Sequence, residues 1–317
     1  MGSLAGSVIQ VDGYRMMEPI STPIIRRRVN IDFESAKTPG WHPSRRELED
    51  FLNAISFVFP PGEKFFIESV QNYQDRITDP VLKEQVKRFI YQEAMHTKEH
   101  NRANRVLDQS YPYGNDIEKF TGTILSLTQR FTPKAIRLAV TCALEHFTAI
   151  LAELLLRNQE QFIAESDPAF AALWLWHAVE EAEHKAVCFD VYRQVVGKGP
   201  LSYIVRAGAM VSSTLCFLLT LFVAVRLINK QEKQRQDIGS TGPSPQNSAG
   251  RPRLWPLLKE LLSLPLYLDY YRPSFHPWDH DNRHLIAEWK KRYRTFGAGP
   301  DGHLHDAEEG AAAVTAS

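Results

Sequence analysis

Apolar residues recur at helical spacing along much of the chain, whereas the alternation typical of strands is scarce. The pattern predicts helices that begin after Ser44, Asp79, Thr132 and Asp167, and a proline follows the last three of these residues directly. Pro60-Pro61 is expected to interrupt the first helix, which then resumes. The predicted fold class is all-α, with the helices packed as a bundle.

The run 207–225 contains no formally charged residue, and Arg206 and Arg226 flank it. At about 1.5 Å per residue, a helix of this length matches the thickness of a hydrocarbon core. Three interpretations stay open for this run: a transmembrane span, a helix that dips into one leaflet, and a buried hairpin of the core. The chain is therefore predicted to have an apolar helical region after the bundle, and this region is the candidate for membrane association.

These patterns divide the chain into six segments. They are an irregular N-terminal arm (1–40), the helical bundle (41–200), an apolar helix (201–228), a flexible linker rich in Gln, Ser, Gly and Pro (229–253), a C-terminal helical segment that locks against the bundle (254–295) and a disordered tail (296–317).

Composition narrows the classes of function. Among the 317 residues, Lys+Arg and Asp+Glu both number 37, and no basic stripe indicates a nucleic-acid partner. The chain has 3 cysteines, widely spaced, which argues against a disulfide framework or a thiolate zinc site. The N-terminus lacks the pattern of a signal peptide, so we expect an intracellular protein, membrane-associated if 207–225 contacts a bilayer.

Two short units carry the candidate chemistry. Glu93 and His96 lie three residues apart, as do Glu181 and His184, so each pair shares one helix face. With Glu145 and Glu68 from two further helices, they form the ligand set of a ferritin-like di-metal carboxylate site. Burying so many carboxylates without cations would be costly, which favours metal binding.

Several neighbours leave alternatives open. Glu63 and Asp75 have chemistry comparable to that of Glu68, and Glu180 could replace Glu181 after a small helix rotation. His177 and His100 lie on the ligand-bearing stripes. Each is an added ligand, a group that positions a ligand, or a surface or hydrogen-bonded core histidine without a role at the metal. The small residues near Glu145 either leave a cavity for a substrate or let two helices approach closely.

Carboxylates and imidazoles suit iron or manganese, and the absence of sulfur disfavours structural zinc. We therefore expect two metal ions, with iron as the first choice and manganese or zinc as alternatives. No other cofactor is predicted, and no catalytic residue beyond the metal ligands.

Several motifs together resemble a known family: FPPGEKFF (59–66), QEAMHTKEH (92–100), EHFTA (145–149), WHAVEEAEHKAV (176–187) and YYRPSFHPWD (270–279). They look like those of the predicted metal-dependent hydrolases, and are also similar to di-iron proteins of the p-aminobenzoate N-oxygenase type, whose fold is ferritin-like. The second resemblance implies a ligand histidine four residues before the last glutamate. The implied ligand set is Glu68, Glu93, His96, Glu145, His177, Glu181 and His184, with His100 and Glu180 as positioning groups.

Three functions follow, in order. The first is a non-haem di-iron oxidase or monooxygenase that acts on a hydrophobic or small organic substrate and needs dioxygen and an electron donor. The second is a metal-dependent hydrolase with a di-metal-activated water. The third is a non-catalytic, membrane-tethered protein that binds iron.

Overall fold

Helices dominate the computed structural model, which describes residues 22–237, 265–296 and 305–306. The prediction of an all-α fold is confirmed. In the described ranges, strand structure is limited to the antiparallel pair Arg27–Arg28 and His305–Asp306. The helices are α1 (Arg46–Gln71), α2 (Pro80–Ser110), α3 (Gly114–Phe131), α4 (Lys134–Arg157), α5 (Gln159–Glu165), α6 (Pro168–His184), α7 (Val187–Val195), α8 (Pro200–Asp237), α9 (Pro265–Asp269) and α10 (Arg283–Phe296).

Four of these helices surround the interior of the bundle. α1 packs along α2, α4 packs along α6, and α1–α4 and α2–α6 contacts close the ring. α3 covers α1 on the outside, and α7 and α8 cover α4. Each of α1, α2, α4 and α6 therefore presents one face to the same buried space.

The predicted caps at Asp79 and Asp167 are confirmed. The Asp79 carboxylate accepts from the backbone N–H of Val81 at 2.8 Å, and the Asp167 carboxylate accepts from that of Ala169 at 3.0 Å. Both satisfy amides that a helix start leaves without a partner. The helix that begins after Asp167 is α6, which ends at His184, and a separate helix, α7, begins at Val187.

Pro60-Pro61 does not interrupt α1, and that prediction was wrong. A proline inside a helix removes the N–H that would bond to the carbonyl four residues earlier. For Pro60 that carbonyl belongs to Ser56, and it accepts instead from Nδ2 of Asn104 in α2, at 3.0 Å. The side chain from the neighbouring helix supplies the missing donor, so α1 remains continuous.

We expect Asn104→Ala to lower the free energy of unfolding by about 1–3 kcal/mol, because it leaves the buried Ser56 carbonyl without a donor. Asn101→Ala is the matched control, since Asn101 is exposed on the same helix, and should change stability by less than about 0.5 kcal/mol. Urea unfolding monitored by circular dichroism measures both changes. Equal effects of the two substitutions would contradict this account of α1.

Helix α8 runs without a break through 207–225 and on to Asp237, so it is not a hairpin and it includes the start of the predicted linker. Residues 238–253 of that linker and 254–264 of the C-terminal segment lie outside the described residues. On the face of α8 turned away from the bundle, large apolar side chains are exposed. They are Leu201, Ile204, Val211, Leu215, Leu219 and Phe222, and we call them the α8 stripe.

Two helices are long and apolar enough to cross a membrane: Lys134–Arg157 and Pro200–Ile228. In the first, 67% of the most apolar window is buried inside the protein, as expected of a core helix. In the second only 28% is buried. The candidate for membrane contact is therefore α8.

The chain segments outside the bundle also pack on it. The arm, described from residue 22, buries Phe33 and Trp41 in the core. In YYRPSFHPWD, Tyr270 and Phe275 pack with Phe189 of α7, which gives this motif a structural role. The predicted tail lies outside the described residues except for residue 296 and the strand His305–Asp306.

Candidate metal centre

Four helices direct carboxylates and imidazoles into one buried space. α1 contributes Glu63, α2 contributes Glu93 and His96, α4 contributes Glu145, and α6 contributes His177, Glu181 and His184. All seven side chains are buried, and we call them the Glu/His cluster.

Ligand atoms within the cluster form overlapping groups. Those of Glu93, Glu181 and His184 lie within 4.8 Å of one another, as do those of His96, His177 and Glu181. Glu63 joins two further groups, one with Glu93 and His96 and one with His100 and His177. Glu63, Glu93 and Glu181 each belong to two of the groups, so neighbouring groups share carboxylates.

Nε2 of His184 faces three carboxylates. It lies 3.0 Å from Oε1 of Glu93, 3.4 Å from Oε2 of Glu181 and 3.6 Å from Oε2 of Glu145. None of these contacts has the geometry of a hydrogen bond. Instead, the nitrogen and the oxygens converge on a common region, as the donors of a cation site do.

The opposite nitrogens of two imidazoles are held by polar neighbours. Nδ1 of His184 lies 2.9 Å from Oε1 of Gln92, and Nε2 of His96 lies 3.1 Å from Oε2 of Glu180. Since both partners are acceptors, each of these nitrogens donates its proton. In the neutral rings, Nε2 of His184 and Nδ1 of His96 then carry no proton and face the cluster, which is the arrangement found around metal-ligating histidines. Burial lowers the pKa of His96 to about 3, whereas the neighbouring carboxylates outweigh burial and raise the pKa of His184 well above its usual range. A cation bound at His184 would therefore displace a proton.

His177 is held by a longer chain of polar groups. Its Nδ1 lies 2.8 Å from Nε2 of His100, and Nδ1 of His100 lies 2.9 Å from Oγ of Ser56. Ser56 donates in turn to Oδ1 of Asn104. If each group donates to the next, Nε2 of His177 is left unprotonated, 3.0 Å from Oε1 of Glu181. His100 thus stands behind His177.

Burial and mutual repulsion dominate the electrostatics of the carboxylates. Burial, with repulsion from neighbouring carboxylates, raises the pKa of Glu63 and of Glu145 well above the usual range. Burial also raises the pKa of Glu93 to about 7. Against the effect of burial, the positive charge of the His184 ring holds the pKa of Glu181 well below its usual value. Such a set of buried, crowded acids gains strongly from added positive charge.

Buried atoms without a partner test whether metal ions fit the cluster. Both oxygens of Glu93, both oxygens of Glu145 and Oε1 of Glu63 have no hydrogen-bond partner among the described residues. The same holds for Nδ1 of His96 and Nε2 of His184. Buried polar atoms are normally satisfied, so this concentration of unpaired acceptors in one place fits bound cations.

The structure places Glu68 outside the cluster and Glu63 inside it, which corrects the predicted ligand set. Positions five residues apart differ by about 140° around a helix, so both side chains cannot face the same centre. The Glu68 side chain is 42% exposed and lies 4.0 Å from Lys64. In the sequence, the apolar residues Phe59 and Phe66, each one turn away from Glu63, could have indicated that Glu63 faces the interior.

Sequence reasoning also missed several polar groups that hold the cluster. Thr97 donates to Oε2 of Glu63 at 2.7 Å, and Thr148 donates to Oε2 of Glu181. Of these groups, Gln92 was the easiest to find from the sequence, since it directly precedes Glu93. No sequence pattern indicated Arg27, because it lies in the arm, far from the cluster in sequence.

Arg27 links the arm to the far side of α6. It is buried, and its guanidinium lies 3.1 Å from Glu180 and 2.7 Å from Glu183. Lys290 of α10 reaches Glu183 at 2.8 Å. Glu180 therefore connects a charged network to His96, and it stands behind that imidazole rather than replacing Glu181.

A family model described as "Predicted metal-dependent hydrolase" matches residues 25–281, which include the whole Glu/His cluster. The chain belongs to this family. Searches of the curated proteins and of the solved structures gave no match.

This membership corrects the order of the predicted functions. The expectation of a di-iron oxidase or oxygenase was wrong, and the family points to the hydrolase placed second. The similarity to p-aminobenzoate N-oxygenases is not shown by the comparisons. The physical reason is that glutamate and histidine ligands serve dioxygen chemistry and water activation equally well, so their spacing could not decide between the two.

Proposed function

We propose that the protein is a metal-dependent hydrolase whose Glu/His cluster holds two divalent cations. One observation carries the proposal: three imidazoles have one nitrogen engaged by a neighbour on the outer side, and each turns its other nitrogen toward one or more of the buried carboxylates of the cluster. Membership of the family supplies the reaction class.

Charge balance supports the number of ions. Two divalent cations neutralise the four carboxylates of Glu63, Glu93, Glu145 and Glu181, so the buried centre carries no large net charge. The donors are oxygens and imidazole nitrogens, which suit manganese and zinc in catalytic sites.

Bound cations of this kind supply Lewis-acid activation of a carbonyl or phosphoryl oxygen and lower the pKa of a water. The chain's own residues keep the donors in place. Gln92, Glu180 and His100 fix the ring orientations of His184, His96 and His177. Thr148 orients Glu181, one of the three carboxylates that belong to two ligand groups.

A cavity next to Glu145 favours catalysis over passive iron binding. Leu144 and Thr148, on either side of Glu145 in α4, both line it, and Thr148 also bonds to Glu181. A storage or sensing site would need no such space beside its ligands. A substrate in the cavity would lie against Thr148, which contacts Glu181 of the cluster.

The test is hydrolysis without dioxygen. Full-length protein is stripped with a chelator, reloaded with Mn²⁺ or Zn²⁺ under argon, and assayed with carboxylic esters, amides and phosphate esters. We expect turnover of at least one class under argon, lost on chelation and restored by metal. Absence of any hydrolysis by protein shown to hold two ions per chain would overturn the proposal.

We further propose that the α8 stripe contacts a membrane surface. Its members follow one another at spacings of three, four or seven residues from Leu201 to Phe222, so they share one helix face about 31 Å long. The opposite face packs on α4. Because one face is engaged by the bundle, contact along the bilayer surface fits this helix better than a span.

Leu215→Glu combined with Leu219→Glu should reduce binding to phospholipid vesicles by tenfold or more, because each substitution replaces exposed apolar surface with a charge. Leu268→Glu is the matched control, since Leu268 is an exposed leucine on α9, outside the stripe. Vesicle co-sedimentation measures all three proteins. Equal binding by the double variant and the wild type would contradict the membrane proposal.

A further inference from the structure

A cavity of about 310 Å³ lies between α1, α3, α4 and α8. Its wall is mostly aliphatic and aromatic, with Ile55, Ile124, Val140 and Phe217 among the lining residues. Ligand pockets begin at about 300 Å³ and are lined mainly by apolar side chains. The space therefore has the size and character of a site for a small apolar group.

One end of the cavity is lined by residues that contact the Glu/His cluster or directly precede one of its members. Thr148 lines the cavity and donates to Glu181. Phe59 also lines it, and its ring stacks on that of His177 with centroids 4.5 Å apart. Gly62, directly before Glu63, is a third lining residue at this end.

Gly62 leaves room where a side chain would stand. A Cβ added to it would meet no atom within 4 Å, although the residue is buried in α1. Glycine in a helix interior costs about 1 kcal/mol relative to alanine. At this position the missing side chain keeps the cavity open beside the cluster.

The other end approaches the surface at α8. Ser212 and Cys216 line the cavity and are also exposed, next to Val211 and Leu215 of the α8 stripe. An apolar molecule held at that stripe would therefore have a short path into the cavity. Ser213, which also lines it, has a buried hydroxyl with no partner among the described residues.

We propose that this cavity binds the acyl chain of a lipid-like carboxylic ester, with the ester carbonyl at the end formed by Phe59 and Thr148. The inference rests on the proposed hydrolase function for the reaction itself. Hydrolysis breaks the acyl carbon–oxygen bond, the oxygen of water joins the acyl carbon, and a proton goes to the departing alkoxide. The products are a fatty acid and an alcohol.

Binding can be tested without catalysis, because Cys216 is the exposed cysteine of the three, while Cys142 and Cys188 are buried. In metal-loaded, full-length protein, a fluorescent maleimide should label Cys216, and Cys216→Ser should abolish labelling. Dodecanoate should slow the labelling at least tenfold, whereas acetate should leave it unchanged. If Cys216 were unreactive before any ligand is added, or if dodecanoate gave no protection, the proposal would fail.

Two substitutions fill the cavity from different helices. Gly62→Leu adds a side chain beside the cluster, and Ser213→Leu adds one on the α8 side; both should remove the protection by dodecanoate. Gly208→Leu is the matched control, because Gly208 is exposed in α8, is not among the cavity-lining residues, and has open space at its Cβ. It should behave as wild type. Protection that survives both filling substitutions would place the fatty acid elsewhere and overturn the assignment.

Hydrolysis of p-nitrophenyl esters then links the cavity to the reaction. From acetyl through butyryl to octanoyl, each methylene that enters should raise kcat/KM by about fourfold. The ratio of octanoyl to acetyl rates should fall at least tenfold in Gly62→Leu and Ser213→Leu at unchanged metal content. Protection of Cys216 without any ester hydrolysis would refute the hydrolase function but leave the acyl-chain site in place. Hydrolysis that does not depend on the length of the acyl chain would refute the acyl-chain site alone.

Discussion

Glu63→Gln is expected to lower hydrolytic activity and metal affinity by more than about 100-fold. Losing a group behind a ligand typically costs 10–100-fold, and a missing ligand should cost more. The amide keeps the volume of the carboxylate but removes one charge and one anionic oxygen from a buried centre. Metal content by elemental analysis, together with kcat/KM on the best ester substrate, measures both effects.

Glu68→Gln is the matched control, since it makes the same chemical change five residues along the same helix. Its side chain is 42% exposed, so both activity and metal content should stay within about twofold of wild type. If Glu68→Gln were the damaging substitution and Glu63→Gln the neutral one, the cluster would be wrongly assigned.

Removing metal should destabilise the protein more than any single substitution outside the cluster. An ion present at about 1,000 times its dissociation constant stabilises the folded state by about 4 kcal/mol. For a chain of this size that amounts to a rise in Tm of roughly 6 °C per ion. Differential scanning calorimetry of chelated and metal-loaded protein measures the shift.

The rise in Tm on metal loading should depend only on residues of the cluster. Glu68→Gln should show the full rise in Tm on loading, and Glu63→Gln a much smaller one. Without ions, the raised pKa values of Glu63 and Glu145 mean that these acids take up protons, which relieves part of the repulsion. Equal Tm values for chelated and loaded wild type would contradict a metal-stabilised centre.

Local spacing predicted much of the site, because a helix fixes which neighbours share a face. Glu93 with His96, and Glu181 with His184, needed only the helical period, and the structure brings both pairs to one centre. The choice between Glu63 and Glu68 depended on the rotation of α1 relative to α2. That rotation follows from a helix continuous through Pro60-Pro61, which the sequence signal for proline contradicted.

Contacts between segments that are distant in sequence could not be predicted. The donor that replaces the missing N–H of Pro60 comes from Asn104 in the next helix, and no local pattern connects the two. In the same way, no periodicity of α8 shows that one of its faces lies on α4 and helps to enclose a cavity. Tertiary packing decided both features, as it often does against local propensity.

The reaction class could not be predicted from the types of ligand residues. Seven glutamates and histidines describe where cations can sit, while the substrate and the reacting oxygen source are set by the space around them. The apolar cavity beside Thr148 is such a space, and it forms only after four helices have assembled.

The buried ion pairs of Arg27 have a practical consequence for anyone who shortens this protein. A fragment cut at the first helix would keep every proposed metal ligand yet lose the guanidinium that lies against Glu180 and Glu183. Glu180 would then remain directly behind His96, and Glu183 would remain beside Gln92, without that positive charge. The smallest functional unit therefore includes the N-terminal arm as well as the helices, and a shortened protein should begin upstream of Ile24.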